Sequence, residues 1–148
     1  MLPRAPLLAL ALGTLPLPLS APVSAAGDCA RDAMLVMDGS ASMAEVGFDI
    51  TAPTRIEEAR TALRRAMPEI APVRRVGLLT YGPGGKGSCS GIDLAFAPMP
   101  DAAGPVIAGV EALSPIGLTP IAASVRAAAE VLGENDIVVL VTDGNETC

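Results

Sequence analysis

Apolar residues in this chain come in two patterns that alternate. Met34-Leu35-Val36-Met37 is an unbroken run, which suits a strand buried on both faces. After it, Ile56, Ala59, Leu63 and Met67 recur at helical spacing, with Thr54 and Glu57 placed as a capping box and Pro68 as the stop. Val76 to Tyr81 reads as a second strand, closed by the glycine-rich turn Gly82-Pro83-Gly84-Gly85. Ile92, Leu94 and Phe96 alternate with Asp93, Ala95 and Ala97, the pattern of a strand nearer a sheet edge. Val106, Ile107, Val110 and Leu113 mark a second helix, ended by Ser114-Pro115. Thr119 is placed to cap a third, with Pro120 at its first position and Ile121, Val125, Ala128 and Leu132 on its inner face. Ile137 to Val141 is uniformly β-branched or leucine, the clearest strand of all, and Thr142-Asp143-Gly144 turns the chain beyond it.

Strands alternating with helices predict an α/β domain, Rossmann-like and doubly wound, with a mostly parallel sheet. At 148 residues the chain accommodates one such domain. Its first stretch is set apart from that pattern. Arg4 is the only charge before Asp28, an apolar core runs from Leu7 to Leu19, and the small residues Ser24, Ala25 and Ala26 follow. This is the order of a secretory signal peptide. The expected leader is 1–26, with cleavage before Ala26 or before Gly27, and the expected domain is 27–148. Pro16, Pro18 and Pro22 interrupt the stretch and argue against a membrane anchor, which needs about 20 apolar residues. No other run is long and apolar enough to span a bilayer, so the expected location is secreted or periplasmic.

Charge and cysteines narrow the partners. Sixteen Asp and Glu face ten Lys and Arg, and the leader carries none of the acids. An acidic surface without basic clusters argues against nucleic acid and anionic membrane as partners. The three cysteines, Cys29, Cys89 and Cys148, are disulfide candidates after export, and an odd number leaves at least one free or paired elsewhere.

Candidate chemistry gathers where the strands end. In open parallel sheets, ligands sit outside the carboxyl ends of the strands. Three segments bring side-chain oxygens there: Asp38-Gly39-Ser40-Ala41-Ser42, Gly117-Leu118-Thr119-Pro120 and Thr142-Asp143-Gly144. Taken singly, these are ordinary turn and cap residues. Together, D-x-S-x-S, the threonine loop and the final aspartate resemble, in type, order and approximate spacing, the metal-ion-dependent adhesion site of von Willebrand factor type A domains. The resemblance runs from Met34 to Cys148. It extends to a bacterial exported subset through Tyr81-Gly82, Lys86-Gly87-Ser88-Cys89 and Asp143-Gly144-Asn145-Glu146-Thr147-Cys148.

That resemblance implies a divalent cation, Mg²⁺ or Mn²⁺, ligated directly by Ser40, Ser42 and Thr119. Asp38 and Asp143 would hold coordinated waters and accept hydroxyl hydrogen bonds. It also implies an open coordination position filled by an Asp or Glu of a protein partner, with no catalysis. The alternative expectation is a cell-envelope scaffold module whose metal site is vestigial. Relative to the family, the elements that complete the sheet beyond Ile137–Val141 are absent, so that strand calls for an outer neighbour. A fragment, an early-terminated frame or a partner-completed sheet all fit. Cys89 and Cys148 both fall in loops near the carboxyl edge and are a possible pair; Cys148 having lost its natural partner is the alternative, and Cys29 is left free or otherwise paired.

Enzymatic readings fit less well. The chain has no histidine, which removes Ser-His-Asp and Cys-His machinery. Gly82 to Ser88 lacks the spacing of a phosphate-binding loop, with Gly87 where Ser or Thr should follow Lys86. Ser40 stands where a phosphotransfer enzyme of the haloacid-dehalogenase type has its second aspartate. A metal-assisted hydrolase would need a general base near the ion, and Glu45 and Glu146 are the nearest candidates by sequence.

Overall fold

The computed structural model describes residues 31–148. The predicted leader and Cys29 lie outside the described residues. Four strands form one sheet: β1 (Ala33–Asp38), β2 (Val76–Tyr81), β3 (Ile92–Met99) and β4 (Ile137–Val141). Three α-helices accompany them: α1 (Arg55–Ile70), α2 (Ala103–Glu111) and α3 (Ile121–Val131). The spatial order is β3-β2-β1-β4. β1 is parallel to both β2 and β4, whereas β3 runs antiparallel to β2. The expected doubly wound α/β fold is present as a mixed sheet of four strands flanked by helices.

The continuous apolar runs are explained by burial on two sides. Every residue of β1 and β2 is buried. Alternation then divides their side chains between the two faces. Leu35, Met37, Val76 and Leu78 meet Ile56, Leu63 and Met67 of α1 and Val106 and Val110 of α2. Met34, Val36, Leu79 and Tyr81 meet Ala128, with Ile121 and Leu132 partly buried against them. Arg60 of α1 ties the two helices on the first face. Its guanidinium donates to the carbonyls of Val110 (3.2 Å), Glu111 (3.0 Å) and Leu113 (2.6 Å), at and just beyond the end of α2.

Several local expectations are corrected. Thr54 occupies the N-cap position of α1, but its side chain makes no cap hydrogen bond. Its backbone bridges to Val46, and Glu57 pairs with Arg60 instead of reaching back, so no capping box forms. Pro68 does not end α1; the helix continues to Ile70. A proline there removes one amide donor close to the end, while buried Met67 and the Ala71 N–H to Met67 carbonyl bond (2.9 Å) hold the last turn. α2 stops at Glu111, leaving Leu113 in the following loop. In α3 the N-cap is Pro120, not Thr119, and Ser124 is fully buried where Val125 was expected. Ser124 tolerates the core because its hydroxyl donates to the Pro120 carbonyl at 2.8 Å.

The edges differ. β3 is half-exposed and contains Pro98, whose missing N–H is tolerated on an edge strand. β4 forms the other edge, and Ile137, Val139 and Leu140 remain substantially exposed. Beside it, an apolar groove runs between β4 and α1, lined by Leu35, Leu63, Met67, Ile70 and Val139. Among the described residues no helix is long and apolar enough to cross a membrane.

Candidate metal-binding edge

The chain leaves β1 directly into the first loop. Asp38 is its last residue, and Ser40 precedes a single 3-10 turn, Ala41–Ala44, that carries Ser42. Asp38 is fully buried, and each of its carboxylate oxygens is engaged. Oδ1 accepts the Ser40 N–H at 2.7 Å, which folds the loop back over the strand end. Oδ2 accepts the Tyr81 hydroxyl at 2.8 Å and the Thr142 hydroxyl at 2.6 Å. Tyr81 stands opposite Asp38 in the β1–β2 register, and Thr142 follows the last residue of β4. One carboxylate therefore links the ends of three parallel strands.

From Asp38 the polar chain continues outward. Ser40 Oγ lies 3.1 Å from Ser42 Oγ. The Ser42 hydroxyl donates to Asp143 Oδ1 at 2.9 Å. Asp143 Oδ2 accepts Arg55 Nη1 at 2.7 Å, and the same nitrogen lies 3.1 Å from both the Ser42 carbonyl and Glu45 Oε2. Among the described residues Thr119 shares no hydrogen bond with the other four predicted ligands. It is brought alongside by backbone links: Ile116 N–H to the Gly39 carbonyl (2.9 Å) and Ala41 N–H to the Gly117 carbonyl (3.2 Å). Thr119 is also clamped to the final segment. Its N–H donates to Thr147 Oγ1 at 2.8 Å, and Thr147 N–H donates to its carbonyl at 3.2 Å.

Two glycines make this convergence possible. Gly82 adopts φ +107°, and a Cβ there would sit 2.3 Å from the Gly39 carbonyl carbon and oxygen and 2.5 Å from Ser40 N. Gly117 adopts φ +84°, and its Cβ would fall 2.1 Å from the Gly82 carbonyl oxygen. Only a residue without a side chain lets the loops after β2 and before α3 press against the first loop. Cys89 and Cys148 form a disulfide that joins the loop after β2 to the segment after β4. The possible Cys89–Cys148 pair is the bridge formed.

Sequence reasoning missed Tyr81, Thr142, Thr147 and Arg55, which hold the predicted residues in place. Tyr81 had a signal, since it ends the strand paired with the one that Asp38 ends. Arg55 had none, because its partners are distant in sequence. Both candidate bases are engaged in other contacts. Glu45 is turned to Arg55, and Glu146 accepts the Ala122 N–H at 2.7 Å and the Cys148 N–H at 3.0 Å. Glu146 thereby satisfies a donor in the first turn of α3, the capping role expected of Thr119.

Burial, reinforced by the neighbouring charge of Asp38, pushes the Tyr81 phenol well above its ordinary value near 10. The folded state thus favours the protonated phenol. That contribution to stability is complete below about pH 10 and declines as pH rises towards the folded-state value. Tyr81 is the only tyrosine, so tyrosinate absorbance reports it alone. An alkaline titration is expected to show ionisation above pH 10 coinciding with loss of stability, and Tyr81→Phe is expected to remove that slope.

The donor set meets a geometric requirement for a hard divalent cation. Neighbouring ligands of an octahedral Mg²⁺ at about 2.1 Å lie about 3.0 Å apart, and the Ser40–Ser42 oxygen separation is 3.1 Å. With its hydrogen given to Asp143, the Ser42 hydroxyl keeps lone pairs for a cation. Among the described residues no group of three or more His, Cys, Asp or Glu is placed to hold a metal, so any cation here relies on hydroxyls.

An open α/β sheet with hydroxyls and carboxylates gathered at its carboxyl edge defines the class. The sequence profile of the von Willebrand factor type A domain matches residues 33–146, and the chain belongs to that family. Solved structures agree on the fold. The von Willebrand domain of the type V pili tip protein Mfa5 from Porphyromonas gingivalis is 20% identical with a TM-score of 0.61, covering 80% of this chain and 39% of that one. The pilus adhesin SpaC from Lactobacillus rhamnosus GG is 19% identical with a TM-score of 0.62, covering 81% and 16%. The SpRpn10 VWA domain is 17% identical with a TM-score of 0.57, covering 80% and 62%. The chain thus spans less than two thirds of each of these proteins. No curated protein matches it.

Proposed function

We propose that residues 27–148 form an exported von Willebrand A domain, preceded by a cleaved leader at 1–26, that binds a protein partner through Mg²⁺ or Mn²⁺ without catalysis. Ser40, Ser42 and Thr119 are the direct ligands in this reading, and Asp38 and Asp143 hold waters and orient the hydroxyls. The observation that carries it is the continuous chain Ser40–Ser42–Asp143, with its hydroxyl pair at the spacing of adjacent octahedral ligands. When bound, the cation supplies an electrophilic centre for an Asp or Glu carboxylate of the partner. The absence of catalysis in this reading is supported by the contacts that already engage Glu45 and Glu146. Likeness to a pilus tip protein and a pilus adhesin supports export and a role in protein contact.

Calorimetric titration of the full chain with Mg²⁺ and Mn²⁺ tests the reading. Binding is expected in the wild type and is expected to disappear in Asp38→Ala and Thr119→Ala while circular dichroism confirms a folded protein. No heat of binding from a folded wild type at millimolar cation overturns it. The second reading, a scaffold module with a vestigial site, draws support from Arg55, which already gives Asp143 a positive partner. It is the reading left standing by that negative result.

A further inference from the structure

We propose that Arg55 is a positioning residue that sets how tightly this edge holds a divalent cation, and that its charge weakens the binding; the inference rests on the metal-binding reading above. Arg55 opens α1, on a different element from all five predicted ligands. Its Nη1 reaches Asp143 Oδ2 at 2.7 Å, and the other oxygen of the same carboxylate receives the Ser42 hydroxyl at 2.9 Å. A cation ligated by Ser42 and the Arg55 guanidinium therefore compete for one carboxylate. Asp38 has no such rival: its three donors, the Ser40 N–H and the Tyr81 and Thr142 hydroxyls, are all uncharged. The two carboxylates at the edge thus differ in kind, and one is already compensated.

Two effects of Arg55 oppose each other. By gripping Oδ2 it turns Oδ1 towards Ser42, which favours binding. By adding a positive charge it repels a dication, which disfavours binding. The grip is partly redundant, because the Ser42 hydrogen bond orients the same carboxylate on its own. The repulsion is doubled by the charge of the ion and acts through a side chain only 34% exposed, where water screens incompletely. Glu45, the guanidinium's other charged partner, is 67% exposed and offsets less of that charge. The charge effect therefore wins. A site tuned in this way binds its cation loosely and leaves it more electrophilic towards a partner's carboxylate.

The test is titration of Mn²⁺ and Mg²⁺ into full-length wild type, Arg55→Gln and Arg55→Lys at fixed ionic strength. Arg55→Gln, which keeps a hydrogen-bond donor and loses the charge, is expected to tighten binding about fivefold, and Arg55→Lys, which keeps the charge, to stay within about twofold of wild type. The gain in Arg55→Gln should shrink as salt rises. A purely structural role would instead weaken binding in both variants along with their melting temperatures. If the wild type binds and Arg55→Gln binds equally or less tightly, the inference is overturned while the metal-binding reading stands. If the folded wild type binds neither ion, both fall. Should Arg55→Gln fail to fold, Glu45→Gln reports the same charge balance with opposite sign: removing the carboxylate that compensates the guanidinium weakens cation binding, and unchanged or tighter binding overturns the inference.

Discussion

Replacing Cys89 and Cys148 together by serine is expected to lower the stability of the domain by about 4 kcal/mol, the chain-entropy cost of opening a loop of this length. The bridge spans 59 residues of sequence separation, enclosing β3, α2, α3 and β4. Without it the unfolded chain regains the freedom of that whole stretch. In the folded state the segment after β4 keeps its hydrogen bonds to Thr119 and Ala122, so the native contacts survive the change. Urea unfolding of oxidised and reduced wild type, beside the double variant, checks the value. Coincident midpoints for oxidised and reduced protein would show that the bridge constrains nothing.

Gly82→Ala is expected to cost about 3 kcal/mol or more, with a backbone strain of about 1–3 kcal/mol contributing only part. The rest comes from a methyl group forced to within 2.3 Å of the Gly39 carbonyl, an atom of the main chain that no rotamer change can move aside. Gly85 separates the two contributions. Its φ of +102° is similar, but a Cβ there meets nothing within 4 Å. Gly85→Ala is therefore expected to lose only about 1–2 kcal/mol, the backbone penalty alone. Equal losses for the two variants in chemical denaturation would refute the close-packing account. Because Gly82 supports the backbone at Gly39 and Ser40, its variant is also expected to weaken any cation binding in proportion.

These two residues illustrate which parts of the molecule can be read from sequence. β1 and β2 are legible because strands buried on both faces are largely apolar, and β4 because its run is uniformly β-branched or leucine even though it lies at an exposed edge. The oxygen donors are legible because each follows directly from a strand end or precedes a helix. β3 is legible as a strand; its antiparallel direction is not, since alternation carries no sense of direction. The caps were misread for a related reason. Thr54 has cap chemistry at the N-cap position and Thr119 stands one residue before its helix's N-cap, but their backbones are drawn elsewhere, to Val46 and Thr147. Arg55 joins Asp143 across 88 positions, and Tyr81 joins Asp38 across 43. Such pairings follow from register and crossing geometry, which no local pattern encodes.

The loops at the carboxyl edge are fastened to one another chiefly through main-chain atoms: Gly39 to Ile116, Ala41 to Gly117, Thr119 to Thr147. Placement and chemistry are consequently carried by different atoms. Exchanging the side chain at Ser40, Ser42 or Thr119 leaves those main-chain links unbroken, although a change at Ser42 gives up its hydrogen bond to Asp143. One backbone framework can therefore present different side chains at the same positions.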